Sequence, residues 1–288
     1  MPAIRYETPL SVAEAVHLMA ADAGARILAG GTDLLIQFRA GVRQPSAFVD
    51  VKRIPELMSI TIDDQGLRLG AAAPAASIGE HAEIRRLWPG LAESVRLIGS
   101  TQIQGRGSVG GNLCNGSPAA DTTCALIVNR AQCVIAGPNG ERTVPVDAFC
   151  IAPGRTVLEA GELLVSLHLP PSKPHSGARY LRFIPRNEMD IAVAGAGVEV
   201  VLENGTFRSA RIALASVAPT PLFVREAGEG LAGKPVNEAG IAAAADAARS
   251  AAKPITDMRG TAEYRRHLCA VLTRRALETA VQRAREAK

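Results

Sequence analysis

The chain has 288 residues, of which 47% are hydrophobic and 21% charged, and its formal net charge is +4. This composition is typical of a soluble globular protein long enough for two or three packed units. Aromatic residues make up only 3% of the chain and no basic run exceeds two residues, which disfavours a nucleic-acid-binding surface. The modest positive charge suits an acidic ligand or an acidic partner protein equally well.

Membrane insertion, secretion and metal binding by cysteine are all disfavoured. The N-terminal segment has no apolar stretch of signal-peptide length, and no segment reaches the roughly 18 apolar residues of a membrane span. We therefore expect a cytoplasmic protein. Five widely spaced cysteines, without a C-x-x-C motif, predict reduced thiols rather than a disulfide framework, a zinc site or an iron–sulfur cluster. They are Cys114, Cys124, Cys133, Cys150 and Cys269.

The first predicted elements form a small parallel unit. Ser11 and Glu14 make a capping box at the start of the first helix, and Thr32 is a suitable N-cap for the second. The strand–helix–strand order that follows favours parallel pairing. The predicted elements are a helix over 12–21, a strand over 26–29, a helix over 33–40 and a strand over 47–51.

The middle of the chain predicts hairpin strands and several helices. Turn signals at Asp63-Asp64-Gln65-Gly66 and Pro138-Asn139-Gly140 each join two strands. A polar, proline-containing segment over 173–177 marks the best domain boundary. The predicted strands cover 59–62, 67–71, 131–136, 142–146 and 163–169, and the predicted helices cover 77–87, 89–98 and 119–129.

Beyond the boundary, three strands precede two helices. Glu203-Asn204-Gly205 is a hairpin signal between the second and third strands. The predicted strands cover 178–184, 191–202 and 206–216, and the helices cover 236–252 and 261–285.

The segment GRGSVGGNLCNGSPAAD, residues 105–121, contains the G-x-G-x-x-G pattern of dinucleotide-binding folds. That fingerprint requires a buried strand before it and a helix directly after it. Residues 99–104 are polar, and no helix is expected before about Ala119. The doublet Gly195-Ala196-Gly197 lacks a third glycine. Both patterns are therefore weak evidence for a Rossmann fold.

Two glycine segments nevertheless predict an anion site. The glycines and small polar residues of 108–117 are expected to expose backbone N–H groups in conformations with positive φ. Gly30-Gly31-Thr32 lies between a strand and a helix, where the N–H groups and the helix dipole also favour an anion. A plain surface loop and an ordinary turn are the alternatives for the two segments. Two such nests suit a ligand with two phosphates.

Four ordered motifs resemble the FAD-binding medium subunit of the molybdenum hydroxylases. They are ILAGGTDL (27–34), GSVGGNLCNGSPAAD (107–121), LLVSLHLP (163–170) and RNEMDIAVAGAGVEV (186–200). EYRRHLCAVLTRRAL (263–277) is similar to the C-terminal helix of that family, which includes carbon monoxide and xanthine dehydrogenases. The resemblance spans essentially the whole chain.

The resemblance implies an α+β fold in two domains. Residues 1–175 would form an FAD-binding domain of the vanillyl-alcohol-oxidase/PCMH-like type, with subdomains over about 1–55 and 56–175. Residues 176–288 would form a C-terminal domain with a three-stranded sheet and helices.

The resemblance also implies cofactor contacts. The segments 27–34 and 108–112 would hold the diphosphate with backbone amides, and Asp121 would accept a hydrogen bond from the cofactor. Leu164 and Arg182 would lie near the flavin. Bland alternatives are a helix cap for Asp121, a core position for Leu164, a solvated strand charge for Arg182 and a turn position for Asn112. The implied cofactor-binding residues are Ile27, Leu28, Ala29, Gly30, Gly31, Thr32, Asp33, Leu34, Ile98, Ser108, Val109, Gly110, Gly111, Asn112, Asp121, Leu164 and Arg182.

The resemblance implies that the chain is an electron-transfer subunit. It assigns no catalytic residue and no metal ligand to this chain. A large partner would carry the molybdenum cofactor and the substrate pocket, and a small partner would carry two-iron, two-sulfur clusters. Electrons would pass from these clusters through FAD to NAD or another acceptor, in a dimer of heterotrimers. The inserted cysteine segment that holds a four-iron cluster in some relatives is absent from the sequence. Two alternatives remain open: a stand-alone flavin oxidase, and a subunit whose FAD is only structural.

Overall fold

The computed structural model describes residues 4–287, and its strands form four sheets. The strands are β1 (Arg5–Glu7), β2 (Arg26–Leu28), β3 (Ala47–Asp50), β4 (Ile60–Asp63), β5 (Gly66–Gly70), β6 (Gln132–Gly137), β7 (Gly140–Pro145), β8 (Cys150–Ala152), β9 (Arg155–Thr156), β10 (Leu163–Leu169), β11 (Ser176–Phe183), β12 (Ala194–Glu203), β13 (Thr206–Ala215) and β14 (Leu222–Phe223). The helices are α1 (Val12–Ala21), α2 (Leu34–Arg39), α3 (Pro55–Met58), α4 (Ala75–Glu80), α5 (Ala82–Leu87), α6 (Pro89–Val95), α7 (Thr101–Gln104), α8 (Val109–Cys114), α9 (Thr123–Val128), α10 (Arg225–Glu229), α11 (Glu238–Ala251) and α12 (Ala262–Glu286).

A three-stranded parallel sheet with the order β1-β3-β2 forms the first layer. The predicted parallel unit is present, and β1 is an additional strand that its short, polar sequence did not predict. Half of the predicted capping box forms, since Ser11 Oγ accepts the Glu14 N–H at 3.2 Å; the Glu14 carboxylate accepts the N–H of Leu10, one residue before the N-cap, at 2.8 Å.

A five-stranded antiparallel sheet, β4-β5-β10-β6-β7, forms the second layer. A bulge between Leu164 and Ser166 adds one residue to its central strand. Leu163 and Val165 pack into the core shared with the parallel sheet, and Leu164 and Leu167 pack into the main core on the opposite face. Leu163 and Val165 therefore face the parallel sheet, whereas Leu164 and Leu167 face away from it.

The C-terminal sheet, β11-β12-β13-β14, is antiparallel. Its three long strands match the predicted three-stranded sheet, and β14 adds only two residues. Asn204 (φ 49°) and Gly205 (φ 76°) form the predicted hairpin turn. Helix α12 covers one face of the sheet and α11 packs against α12, while a Cβ on Gly197 would lie 3.0 Å from the Cβ of Cys124 on the other face. Glycine in this apolar strand therefore allows α9 to pack against it.

Several predicted boundaries are wrong. His81 adopts an extended conformation, which divides the helix predicted over 77–87 into α4 and α5. The helix predicted over 119–129 is shortened to α9. Thr32 is not an N-cap, because α2 begins at Leu34 after Asp33. Hydrophobic spacing predicts where a helix lies better than where it ends, since local hydrogen bonds decide its termini.

The cysteines are free thiols, as predicted. Within residues 4–287, no helix is long and apolar enough to cross a membrane, and no cluster of His, Cys, Asp and Glu has the make-up of a metal site.

Candidate cofactor site

A cavity of about 330 Å³ lies where the parallel and five-stranded sheets meet. Two glycine-rich loops form one side, and the apolar residues of several elements form the other. Thirteen of the seventeen predicted cofactor-binding residues line it: Ile27, Ala29, Gly30, Gly31, Thr32, Asp33, Leu34, Ile98, Ser108, Gly110, Gly111, Asn112 and Leu164.

The two loops contact each other through Gly30. A Cβ built on Gly30 would lie 2.0 Å from the carbonyl oxygen of Arg106 and 2.9 Å from the nitrogen of Gly107. Both are backbone atoms, so no side-chain rotation relieves the overlap. The absence of a side chain at Gly30 is therefore a condition for the loops to meet at the cavity.

The second loop contains a short helix where the sequence predicts none. Ser108 is the N-cap of α8, and its Oγ accepts the N–H of Gly111 at 3.1 Å. Gly110 and Gly111 are therefore helical, and the prediction of a run with positive φ is wrong; in this loop only Gly116 has a positive φ, of 60°. The sequence did not indicate that the loop is held by a tertiary hydrogen bond. The Ala75 N–H donates to the Gly107 carbonyl at 2.8 Å.

Gly110 sets the distance between α8 and the five-stranded sheet. Its hypothetical Cβ would lie 2.4 Å from the carbonyl oxygen of Ala71, immediately after β5. Gly111 is different, because its closest neighbour would be Ser108 Oγ at 3.0 Å and the residue faces the cavity. Gly110 therefore permits α8 to pack on the sheet, whereas Gly111 leaves space in the cavity open.

Both loops present backbone donors without protein acceptors. Among residues 4–287, no protein acceptor binds the N–H of Gly31, Thr32 or Asp33, nor that of Gly110 in the first turn of α8. Unpaired N–H groups at two loops around one cavity are the arrangement that binds anionic oxygens.

Asn112 joins this loop to the chain that follows it. Its Oδ1 accepts the Thr122 Oγ1–H at 2.7 Å and the Thr122 N–H at 3.3 Å. Among the described residues its Nδ2 donates no hydrogen bond, and Asn112 lines the cavity. The side chain therefore positions the loop through one atom and retains donors on the other.

Four predicted contact residues do not line the cavity. Leu28 and Val109 are buried in the core, with 7% and 1% exposure. Asp121 and Arg182 form a buried ion pair, in which Arg182 Nη1 donates to both carboxylate oxygens of Asp121 at 2.8 Å. Arg182 is thus not a solvated strand charge, and Asp121 makes no side-chain cap for α9.

Arg182 of this ion pair lines a second, polar cavity, also of about 330 Å³. Arg96 and Gln104 line the same cavity. Burial raises the pKa of Asp121 to about 6, although the guanidinium of Arg182 opposes this rise. The hydroxyl of Tyr180 also donates to Asp121, at 3.5 Å.

Two titratable groups on the main cavity, Cys114 and Glu162, are poorly suited to acid–base or nucleophilic chemistry. Burial raises the pKa of the Cys114 thiol to about 12, which keeps it protonated. Hydrogen bonds from Arg142 hold the pKa of Glu162 below its usual value. No histidine, lysine, arginine or tyrosine lines this cavity in the described chain.

The two halves of the chain match two family models. Residues 2–172 match the FAD binding domain in molybdopterin dehydrogenase, and residues 179–280 match the CO dehydrogenase flavoprotein C-terminal domain. The chain belongs to the FAD-binding subunits of the molybdopterin dehydrogenases. It is therefore a subunit of an oxidoreductase, and its expected cofactor is FAD.

Relatives match over nearly their full length. The carbon monoxide dehydrogenase medium chain of Hydrogenophaga pseudoflava is 36% identical, with 97% of each chain covered. The xanthine dehydrogenase FAD-binding subunit of Escherichia coli O157:H7 is 32% identical, with 97% of this chain and 96% of the relative covered. A solved carbon monoxide dehydrogenase from H. pseudoflava, which lacks the Mo-pyranopterin moiety of its molybdenum cofactor, superimposes with a TM-score of 0.94 at 35% identity, with 98% of each chain covered.

The cavity of this FAD-binding subunit fits its family's cofactor. The unpaired N–H groups match the two phosphates of FAD, and the apolar wall at Ile98 and Leu164 suits a flat ring system or an adenosine. The sequence did not predict part of that wall, because it comes from separate elements whose residues look like ordinary core. The additional apolar lining residues are Val51, Leu57, Ala71, Ala72, Leu158 and Leu163; Glu162 and, from the glycine segment, Gly107, Cys114 and Asn115 complete the lining.

Proposed function

We propose that the chain binds one FAD with its diphosphate at the two glycine loops and transfers electrons between partner subunits and an acceptor. The pairing of unpartnered N–H groups on both loops of a single cavity carries this proposal. Bound FAD accepts two electrons and releases them again, so the chain's own task is to bind and orient the cofactor.

The residues divide this task between the two ends of the site. Gly31, Thr32 and Gly110 offer backbone N–H groups to the phosphates, while Ile98 and Leu164 exclude water from the apolar part. The resemblance assigns Asp121 and Arg182 to the cofactor; because neither lines the main cavity, we propose that the buried pair acts from outside its wall. We also propose that residues 1–175 form the FAD-binding domain and residues 176–288 the C-terminal domain.

The proposed partners are a large subunit with the molybdenum cofactor and a small subunit with two-iron, two-sulfur clusters, in a cytoplasmic dimer of heterotrimers. Full-length similarity to a carbon monoxide dehydrogenase medium chain supports this assembly. NAD is one candidate for the acceptor of the electrons. The protonated Cys114 and the tightly paired Glu162 argue against a stand-alone oxidase, which would need a base or nucleophile beside the ring.

Cofactor content tests the proposal directly. The purified chain is expected to carry non-covalent FAD at one per chain, released by heat or acid, because no nucleophile is in place for a covalent bond. FMN should bind far more weakly, since it lacks the second phosphate that the two loops accommodate. The measurement is the absorbance of released flavin, followed by titration of the apoprotein with FAD and with FMN. A colourless chain that takes up no added FAD would contradict the proposal.

Replacing Gly111 with valine is expected to weaken FAD binding while preserving the fold. Gly111 is helical, so positive φ is not the reason. Instead, the added Cβ would lie 3.0 Å from Ser108 Oγ, and the two methyl groups beyond it would occupy space beside the cavity that Gly111 lines. Overpacking of this kind costs about 1–3 kcal/mol, or roughly ten- to a hundredfold in affinity.

The control for this variant is Gly111→Ala, which adds only the Cβ and should retain most of the affinity. Fluorescence titration with FAD and thermal unfolding of the apoprotein measure the two effects separately. Equal FAD affinity in Gly111→Val and the wild type would exclude this loop as the diphosphate site.

A further inference from the structure

Lys52 lies directly behind the first glycine loop, outside the cavity lining. Its Nζ donates to the carbonyl oxygen of Ala29 at 2.9 Å and to Asp50 Oδ1 at 2.6 Å. Ala29 is the residue immediately before Gly30, so the carbonyl that Lys52 holds belongs to the peptide unit that begins the loop. The lysine side chain is 27% exposed, which leaves the ammonium partly shielded from water.

Asp50 fixes the lysine in this position. It is 6% exposed and ends the central strand β3, where its register partner is Leu28 at the end of β2. It accepts the hydroxyl of Tyr6 from β1 and the backbone N–H of Lys52 at 3.0 Å. A single hydrogen-bonded chain therefore connects all three parallel strands to the loop.

The charge of Asp50 is maintained by this arrangement. Burial raises the pKa of Asp50, but hydrogen bonds from the Lys52 ammonium, the Tyr6 hydroxyl and the Lys52 N–H outweigh it and hold the pKa below its usual value. The carboxylate thus remains ionised and anchors a cation at the base of the loop near neutral pH.

We propose that Lys52 is a positioning residue for the diphosphate: it fixes the Ala29 carbonyl so that the next N–H groups face the cavity, and it adds positive charge behind them. This rests on the proposed function, since it assumes an anion at Gly31 and Thr32. Two properties of the lysine contribute, a directional hydrogen bond and a charge. A cation held by an anchored carboxylate and a carbonyl keeps its position without the ligand, so little ordering is required when the anion binds.

Three substitutions separate the two contributions. Lys52→Met removes the donor and the charge, and FAD should bind about ten- to a hundredfold more weakly, the usual effect of losing a charged hydrogen bond. Lys52→Gln keeps a neutral donor, and its FAD affinity should lie between those of Lys52→Met and the wild type. Lys52→Arg should bind FAD with an affinity within about threefold of the wild type. Lys234→Met, on an exposed lysine of the C-terminal domain, gives the same change in net charge and should bind FAD like the wild type.

A purely structural role is tested by two further measurements. Asp50→Asn combined with Lys52→Met removes both charges, so no unpaired carboxylate is left buried; this variant should recover the thermal stability of the apoprotein and still bind FAD weakly. Added salt should also weaken FAD binding more in the wild type than in Lys52→Met, because only the wild type loses the charge contribution.

The titrations use FAD as the probe, and the flavin fluorescence gives the affinity. A wild-type chain that binds FAD together with a Lys52→Met variant of equal affinity would overturn the role of Lys52 and leave the proposed function intact. Recovery of FAD affinity in the double variant would also overturn it, by showing that the lysine only relieves the buried carboxylate. A wild-type chain that binds no FAD would overturn both proposals.

Discussion

The Gly30→Ala variant is expected to bind FAD about a hundredfold more weakly than the wild type, or not measurably. The added Cβ would lie 2.0 Å from the Arg106 carbonyl oxygen, so the two loops must separate. Overpacking against backbone costs ~1–3 kcal/mol, and here no side chain can move to reduce it. Because both loops supply N–H groups to one cavity, their separation should remove the joint contact with the diphosphate.

The matched control is Gly105→Ala, in the same segment as Arg106. Gly105 has a negative φ of −66°, and a Cβ there would have no neighbour closer than the Gln102 carbonyl oxygen at 3.7 Å. This variant should bind FAD normally. Isothermal or fluorescence titration gives both affinities, and circular dichroism checks that Gly30→Ala retains its sheets. Normal affinity in a folded Gly30→Ala chain would show that contact between the loops is not needed for binding.

Much of the strand layout could be predicted because turn chemistry and strand patterning act locally. Asn204-Gly205 requires positive φ at both positions, and the structure provides it. The central strand at Leu163–Leu169 was predicted with its observed bounds, since an apolar run interrupted only by Ser166 and His168 suits a strand buried on both faces. β1 was missed because three residues carry no periodicity, and it exists only through its pairing with β3.

The glycine loop shows the limit of local reasoning. Its composition predicted an irregular loop with positive φ, yet Ser108 caps a helical turn there, and Gly110 packs on Ala71. The Ser108 cap is local, whereas the contact of Gly110 with Ala71 joins segments distant in sequence. Likewise, Asp121 and Arg182 are 61 residues apart, and neither residue alone indicates that they form a buried pair. The cavity could be predicted from its loops, while its apolar wall required the tertiary structure.

Reduction of the flavin is expected to depend on the partner subunits. The thiol of Cys114 is held protonated and Glu162 is fully paired, so neither group is placed to activate an organic substrate. The isolated chain loaded with FAD is therefore expected to leave its flavin oxidised when it is given an aldehyde, a purine or another N-heterocycle. The reduced small iron–sulfur subunit should supply the missing electrons.

Anaerobic stopped-flow absorbance at the flavin band tests this claim most directly. The FAD-loaded chain is mixed with each organic substrate alone, then with the reduced small iron–sulfur subunit, and the complete complex is mixed with its substrate. The account predicts no bleaching of the flavin in the first mixture, rapid bleaching in the second, and turnover only in the third. Bleaching by an organic substrate in the isolated chain, at the rate of catalytic turnover, would contradict it and favour a stand-alone flavin oxidase.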